Sequence, residues 1–229
     1  MLFRPMDRAH TRPSDAGPPG ILHRPGLTVR ASMSRAAFDS KDSHLARPRG
    51  LLGWIAGQVM VATNRPMNEL TSALLDVQPI DHVLEVGFGP GTLIRLLAEK
   101  ATQGYVAGVD PSDVMVKVAR KRNRSFIERG LVDLCQGTVS RLPYRNHEFT
   151  KACAVNSLQF WPALQDNLRE VRRVMKDGGL LVLALRMRDP TGRFMGPIES
   201  LVTRAGFRDV RTEVHSLRRG TATFLLGQC

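Results

Sequence analysis

Val83-Leu84-Glu85-Val86-Gly87-Phe88-Gly89-Pro90-Gly91-Thr92 is the stretch that decides the fold. A short β-rich run, His82 to Val86, leads into three glycines at alternate positions. Beyond them, Leu93, Leu96 and Leu97 fall on one face of a helix expected over Gly91 to Ala101. Strand, tight turn and helix in that order open a βα unit. Glycine lets the backbone come close to a ligand with no side chain in the way. In open parallel sheets, ligands bind at the carboxyl ends of the strands, so the turn after Glu85 is the first place to expect a site.

Downstream the same alternation repeats. Tyr105 to Val109 reads as a second strand and ends at Asp110, whose carboxylate is placed to accept two hydrogen bonds from a ribose diol. A helix is expected from Ser112 to about Arg129, and strands over Leu131 to Cys135 and Phe149 to Val155. Another helix runs from Ala163 to Met175, stopped by Asp177-Gly178-Gly179, and a fifth strand covers Leu180 to Leu185. Strands alternating with helices imply a parallel sheet covered on both faces. The end of the chain changes rhythm, with a helix over Pro197 to Arg204 and strands over Val210 to Val214 and Thr221 to Leu226. Only His215 to Gly220 lie between those two strands. A parallel crossover needs about a dozen residues, so the last strand is expected to run antiparallel to the one before it.

Upstream, Leu51 to Ala62 looks helical, Asn64-Arg65-Pro66 interrupts it, and Pro66 suits the first turn of a second helix reaching Val77. Residues 49–79 are read as an N-terminal helical lid and residues 80–229 as the main domain. Residues 1–48 hold six of the fourteen prolines and no sustained apolar period, which reads as a disordered basic tail. Translation from Met33 is an alternative start. A transit peptide is disfavoured by the tail's four acidic residues and repeated prolines.

Composition narrows the classes. At 229 residues the chain suffices for one well-buried domain. Its longest apolar stretches are about a dozen residues, short of the roughly 20 that a bilayer span needs. The net charge is +12; residues 1–50 contribute nine Lys/Arg against four Asp/Glu, and the rest is spread along the chain, a weak pointer to nucleic acid. The densest basic cluster, Lys117, Arg120, Lys121, Arg122 and Arg124, is read as a solvated helix face. Cys135, Cys153 and Cys229 form no Cys-x-x-Cys motif and suit a reducing cytoplasm. His82 and His147 have no partner at metal-ligand spacing, so no metal site is expected.

Two cofactors compete for the glycine turn. A dinucleotide enzyme shows Gly-x-Gly-x-x-Gly, with pyrophosphate at the helix start. This chain has the tighter Gly-x-Gly-x-Gly, with Glu85 in the strand before it. S-adenosylmethionine carries a sulfonium and an ammonium and no phosphate, so a carboxylate near the loop favours it.

Residues from about 80 to 187 resemble the class I S-adenosylmethionine-dependent methyltransferases, especially their small-molecule, type 11-like branch. The resemblance rests on Val83 to Gly91, Val109-Asp110-Pro111-Ser112, Leu142-Pro143-Tyr144, Ala154-Val155-Asn156-Ser157, and Leu168-Arg169-Glu170-Val171 through Gly178-Gly179. It implies a Rossmann-like α/β fold with a seven-stranded sheet of order 3-2-1-4-5-7-6, mostly parallel with an antiparallel last strand. It also implies that Glu85, Gly87, Phe88, Gly89 and Gly91 surround the methionine part of S-adenosyl-L-methionine. Asp110 would hold the ribose hydroxyls. Pro111, Ser112 and Met115 would border the adenine, with Thr138 and Val139 at its other face and Asn156 near the methyl group. Two departures stand out. Thr138 is neutral where many members have an acid that accepts the adenine amino group, and Thr150 stands near a position where many have Asp.

Methyl transfer from a sulfonium is a direct displacement, so alignment and exclusion of water do most of the work. No side chain declares itself as a general base. The acceptor implied is a small molecule. Nucleic-acid methylation is the rival enzyme reading, but Asn156-Ser157-Leu158-Gln159 is unlike the Asn/Asp-Pro-Pro-Tyr typical of amino-methylating nucleic-acid enzymes. A non-catalytic S-adenosylmethionine-binding regulator is the rival from another class. Phe160 and Trp161 either face a planar or cationic acceptor or pack the start of the next helix.

Overall fold

The computed structural model describes residues 64–187, 195–217 and 220–229. The expected tail over residues 1–48, the alternative start at Met33 and the helix over Leu51 to Ala62 lie outside the described residues.

Seven strands form one sheet of order β3-β2-β1-β4-β5-β7-β6. They are β1 (His82–Val86), β2 (Tyr105–Asp110), β3 (Val132–Gln136), β4 (Phe149–Val155), β5 (Met175–Met187), β6 (Arg208–Ser216) and β7 (Thr221–Gln228). β1 pairs parallel with both β2 and β4, whereas β7 runs antiparallel to β5 and to β6. Successive strands run outward from β1 to β3, and β4 then returns to the other side of β1. The carboxyl ends of β1, β2 and β4 therefore flank the point where strand order reverses.

The period of two explains the layering. Val83 and Val106 point to one face, where they pack with Leu93, Ile94 and Leu97 of α2 (Thr92–Ala98), with Val116 and Ala119 of α3 (Asp113–Arg122), and with Met67 of a helix, α1, through residues 64–74. Leu84 and Ala107 point to the other face. They meet Leu168, Val171 and Val174 of α5 (Leu164–Val174), with Val202 of α6 (Met195–Arg204) in the same core. Glu85 shares the face of Val83, so its burial is imposed by the strand rather than by a chance contact.

Three expectations are corrected. The helix expected from Ser112 to about Arg129 is broken at Asn123 into α3 and α4 (Arg124–Glu128); there the backbone takes φ −103° and ψ 17°, and the buried side-chain amide donates to Gly91 O. The helix expected to reach Val77 is helical only through residue 74. β5 begins at Met175 and not at Leu180. The Asp177-Gly178-Gly179 segment, which looks like a stop, is held in the sheet region by Gly178 N–H donating to Cys229 O and Cys229 N–H donating to Gly179 O, both at 2.9 Å. Phe149 pairs with Met175 and Lys151 with Leu180, so the register shifts between them.

Two polar nodes join the layers. Thr150 Oγ1 donates to Asp81 Oδ1 at 2.7 Å and accepts from the His82 amide, giving the non-acidic residue at that position a structural task. Lys151 Nζ lies 3.3 Å from Asp81 Oδ2 and also donates to the carbonyls of Leu75 and Asp76, which follow α1. In the second node, Glu170 and Arg173 of α5 grip the segment after β3. Arg173 donates to the Leu142 and Tyr144 carbonyls, and Glu170 Oε1 accepts from the Leu142 amide at 2.8 Å. Glu170's carboxyl is held below its ordinary range, chiefly by its hydrogen bond from Arg173. At the sheet's edge, β6 carries Arg211, Glu213 and His215 in sequence alternation and a bulge between Arg208 and Arg211, where Asp209 takes φ +50°.

Removing one partner of a buried ion pair costs about 3–5 kcal/mol because it strands the other charge. Lys151→Met leaves Asp81 without its cation and two carbonyls without their donor. A loss on the order of 10 °C in melting temperature is expected by differential scanning calorimetry for a domain of this size. A melting temperature within 2 °C of wild type would remove this node from the account of how α1 is anchored.

Candidate functional site

One cavity of about 500 Å³ opens at the carboxyl ends of β1, β2 and β4. Eleven of the twelve residues expected at a cofactor site line it: Glu85, Gly87, Phe88, Gly89, Asp110, Pro111, Ser112, Met115, Thr138, Val139 and Asn156. Gly91 is the exception. A Cβ there would meet Ala119 Cβ at 2.6 Å and Asn123 Nδ2 at 2.8 Å, so this glycine serves contact between the loop and α3.

The glycine turn is a run of backbone that L side chains disfavour. Gly87, Gly89 and Gly91 have φ of +77°, +51° and +71°. A Cβ on Gly87 would overlap Ser157 Cβ at 2.5 Å, whereas one on Gly89 would meet nothing within 4 Å. Gly89 is therefore the glycine whose missing side chain leaves open space beside the cavity. Phe88 borders the cavity, but its ring is buried in the core, where a Cβ on Gly108 would lie 2.6 Å from its Cδ1.

Two carboxylates dominate the chemistry. Asp110 ends β2 and is 6% exposed. Its Oδ2 accepts the Gly89 amide at 2.8 Å and its Oδ1 the Ser112 amide at 2.9 Å. Burial raises the pKa of its carboxyl, and the two amide donors oppose that rise. Glu85 is 3% exposed, and its Oε2 is buried with no hydrogen-bond partner. Its carboxyl is pushed well above the ordinary range, first by burial and then by the charge of Asp110, against the pull of the Ile94 amide. A buried acceptor lacking a donor costs free energy, and a cation is the natural group to relieve it.

At the start of α3, Ser112 caps the helix by accepting the Met115 amide, which sets Met115 at the cavity. Thr138 is exposed and Val139 buried, both beyond the end of β3. Asn156 follows β4 with φ +50°. Its Nδ2 donates to Asn64 Oδ1 at 3.0 Å and its Oδ1 accepts the Arg186 amide at 2.8 Å. The side-chain amide thus ties α1, the end of β4 and the end of β5 together. Trp161 is buried in the core, while Phe160 is 48% exposed; both line the cavity.

The sequence reading missed Asn64, Asn68, Ser157 and Gln159 on the cavity wall. Ser157 Oγ donates to Val86 O at 2.8 Å and abuts Gly87, a task visible only once β1 and β4 are neighbours. The basic cluster is also corrected in part. Lys117 and Arg124 do form exposed pairs, with Asp113 and Glu128. Arg120, however, donates to Leu134 O, and Arg122 turns back to the glycine turn.

Among the described residues no group of His, Cys, Asp and Glu is placed to hold a metal ion, and no helix is long and apolar enough to cross a membrane. Residues 84–183 match the family model of the methyltransferase domain. The chain is 26% identical over 170 residues to the methyltransferase YdaC of Bacillus subtilis, covering 72% of this chain and 92% of that one. It is 32% identical over 119 residues to a demethylmenaquinone methyltransferase of Symbiobacterium thermophilum, covering 52% of this chain and 47% of that protein, so it spans about half that relative's length. In fold it superposes on an S-adenosylmethionine-dependent methyltransferase from Aquifex aeolicus with a TM-score of 0.60, at 16% identity, over 71% of this chain and 89% of the other. Strand order and the match over residues 84–183 agree: this stretch is similar to the methyltransferase domain, and the sheet has the fold of S-adenosylmethionine-dependent methyltransferases.

Proposed function

We propose that the cavity binds S-adenosylmethionine between Glu85 and Asp110 and that the chain transfers its methyl group to a small, uncharged acceptor. The observation that carries this reading is the pair of buried carboxylates flanking the glycine turn, one of them with an orphaned oxygen. When bound, the donor supplies a methyl group already activated on a sulfonium. Glu85 Oε2 would accept from the donor's ammonium. Each Asp110 oxygen already holds one amide and retains capacity for a second donor, so both can accept from a ribose diol. The open space at Gly89 leaves room for the donor at the turn, and Pro111, Ser112, Met115, Thr138 and Val139 would enclose the adenine.

Among the described residues, the remaining wall includes Asn68, Gln159, Phe160 and Trp161, amide and aromatic side chains without charge. An exposed ring beside side-chain amides suits a planar or apolar acceptor more than a phosphorylated one, and the demethylmenaquinone relative is named for a ring-bearing substrate of this kind. Three free cysteines are in keeping with a reducing, cytoplasmic setting.

Hydrogen bonds to a charged group contribute roughly 1.5–3 kcal/mol each. Asp110→Ala is therefore expected to weaken S-adenosylhomocysteine binding by about 10- to 100-fold by isothermal calorimetry. It also loses a few degrees of melting temperature, because the Gly89 and Ser112 amides lose their acceptor. Asp113→Ala, on the exposed first turn of α3, should bind within twofold of wild type. Equal, small losses at the two positions would refute the ribose assignment.

A second expectation concerns protons. Because the folded-state pKa of Glu85 is raised, its protonated form stabilises the donor-free fold, and that contribution is lost as pH rises through the folded value. A bound ammonium reverses the preference, so donor binding expels the proton. Calorimetry in buffers of different ionisation enthalpy should register proton release above the ordinary carboxylate range. The release should fade at pH values where Glu85 is already ionised in the donor-free protein. Glu85→Gln should bind more weakly and release less, and an unchanged proton count in that variant would show that Glu85 is not the group that titrates.

A further inference from the structure

The basic end of α3 has an unexplained arrangement. Arg122 Nη1 donates to Pro90 O at 2.6 Å and to Thr92 Oγ1 at 2.9 Å. The next residue, Asn123, is fully buried, and its Nδ2 donates to Gly91 O at 3.0 Å and to Ala119 O at 2.9 Å. Two consecutive residues thus hold three consecutive residues of the glycine turn, about thirty positions away in sequence. The backbone is arranged around that contact. α3 ends at Arg122, and Asn123, at φ −103° and ψ 17°, separates it from α4. Gly91 lacks a side chain where one would strike Ala119 and Asn123. Neither Arg122 nor Asn123 lines the cavity.

The other end of α3 meets the same turn. Its N-cap, Ser112, donates its amide to Asp110, whose second oxygen takes the Gly89 amide. The turn is therefore gripped at Gly89 by the carboxylate beside the start of α3, and at Pro90, Gly91 and Thr92 by the end of α3. A run of three positive-φ glycines has many accessible conformations when free. Holding it from both ends removes that freedom before a ligand arrives, which lowers the ordering cost of binding.

We propose that Arg122 and Asn123 are positioning residues for the methyl-donor loop, setting donor affinity without touching the donor. This rests on the donor site proposed above. Arg122 is the residue to test, since it is only half-buried, and Arg124→Met is the control, because Arg124 makes an exposed pair with Glu128. The readouts are the dissociation constant for S-adenosylhomocysteine, the donor-free melting temperature and amide hydrogen exchange of residues 87–94 in the full chain. Arg122→Met should raise the dissociation constant about five- to thirtyfold. It should speed exchange at the turn and leave exchange in β5 and β7 unchanged. Arg122→Lys keeps the charge and a donor without the planar fork, and should recover part of the affinity. Should the Met variant fail to fold, the Lys variant is judged alone against a twofold or greater weakening. Binding within twofold of wild type with unchanged exchange at the turn, or an equal loss in Arg124→Met, overturns the proposal. If the wild-type protein itself does not bind S-adenosylhomocysteine, the donor reading falls and takes this one with it. If wild type binds and Arg122→Met binds equally well, this proposal alone falls.

Discussion

The carboxylate of Asp110 is the constraint on which the site depends. A buried anion at the end of a strand is costly unless donors meet it. Here the Gly89 and Ser112 amides do so. That solution joins two segments otherwise free to move apart, the turn after β1 and the start of α3. It also presents the carboxylate at the cavity in a fixed orientation. Glu85 sits under the opposite condition, with one oxygen unpartnered. The two acids differ in environment rather than in type: one shapes the turn, and the other keeps a buried oxygen without a donor.

Much of this is legible in the amino-acid sequence, for reasons that are local. A strand running into alternate glycines can do little else than turn, and the short gap between the last two strands excludes a parallel crossover. What the sequence concealed depends on distant partners. Nothing around Asn123 marks it as a helix break, and its side-chain partner, Gly91 O, lies on another element. Asp177-Gly178-Gly179 resembles a terminator, yet Cys229 pairs with that stretch and keeps it beside the sheet. Arg122 and Arg124 look equivalent in a basic run, and only their neighbours separate them. Side chains on the cavity wall such as Asn64 and Ser157 carry no chemical signature at all.

The motifs of the middle segment also divide in their duties. Leu142-Pro143-Tyr144 and the Glu170 region are far apart in sequence and look like separate signals. In the fold they are a single assembly, with Arg173 spreading its donors over Glu170, two carbonyls and Asn146. Its planar fork suits that many fixed acceptors, as a lysine would not. The backbone that carries Thr138 and Val139 to the cavity runs directly into this clasp, so that side of the cavity is braced from the far face of the sheet.

The open edge at β6 bears on how the protein behaves in company. An uncovered strand offers a ladder of backbone groups that another chain can extend, the first step toward aggregation. Along this edge Arg211 and His215 each pair with Glu213, and the bulge at Asp209 bends the ladder out of register. A second strand approaching here would have to desolvate charges already matched and follow a kinked template. Both features oppose further strand addition at this edge, which no neighbouring strand covers among the described residues.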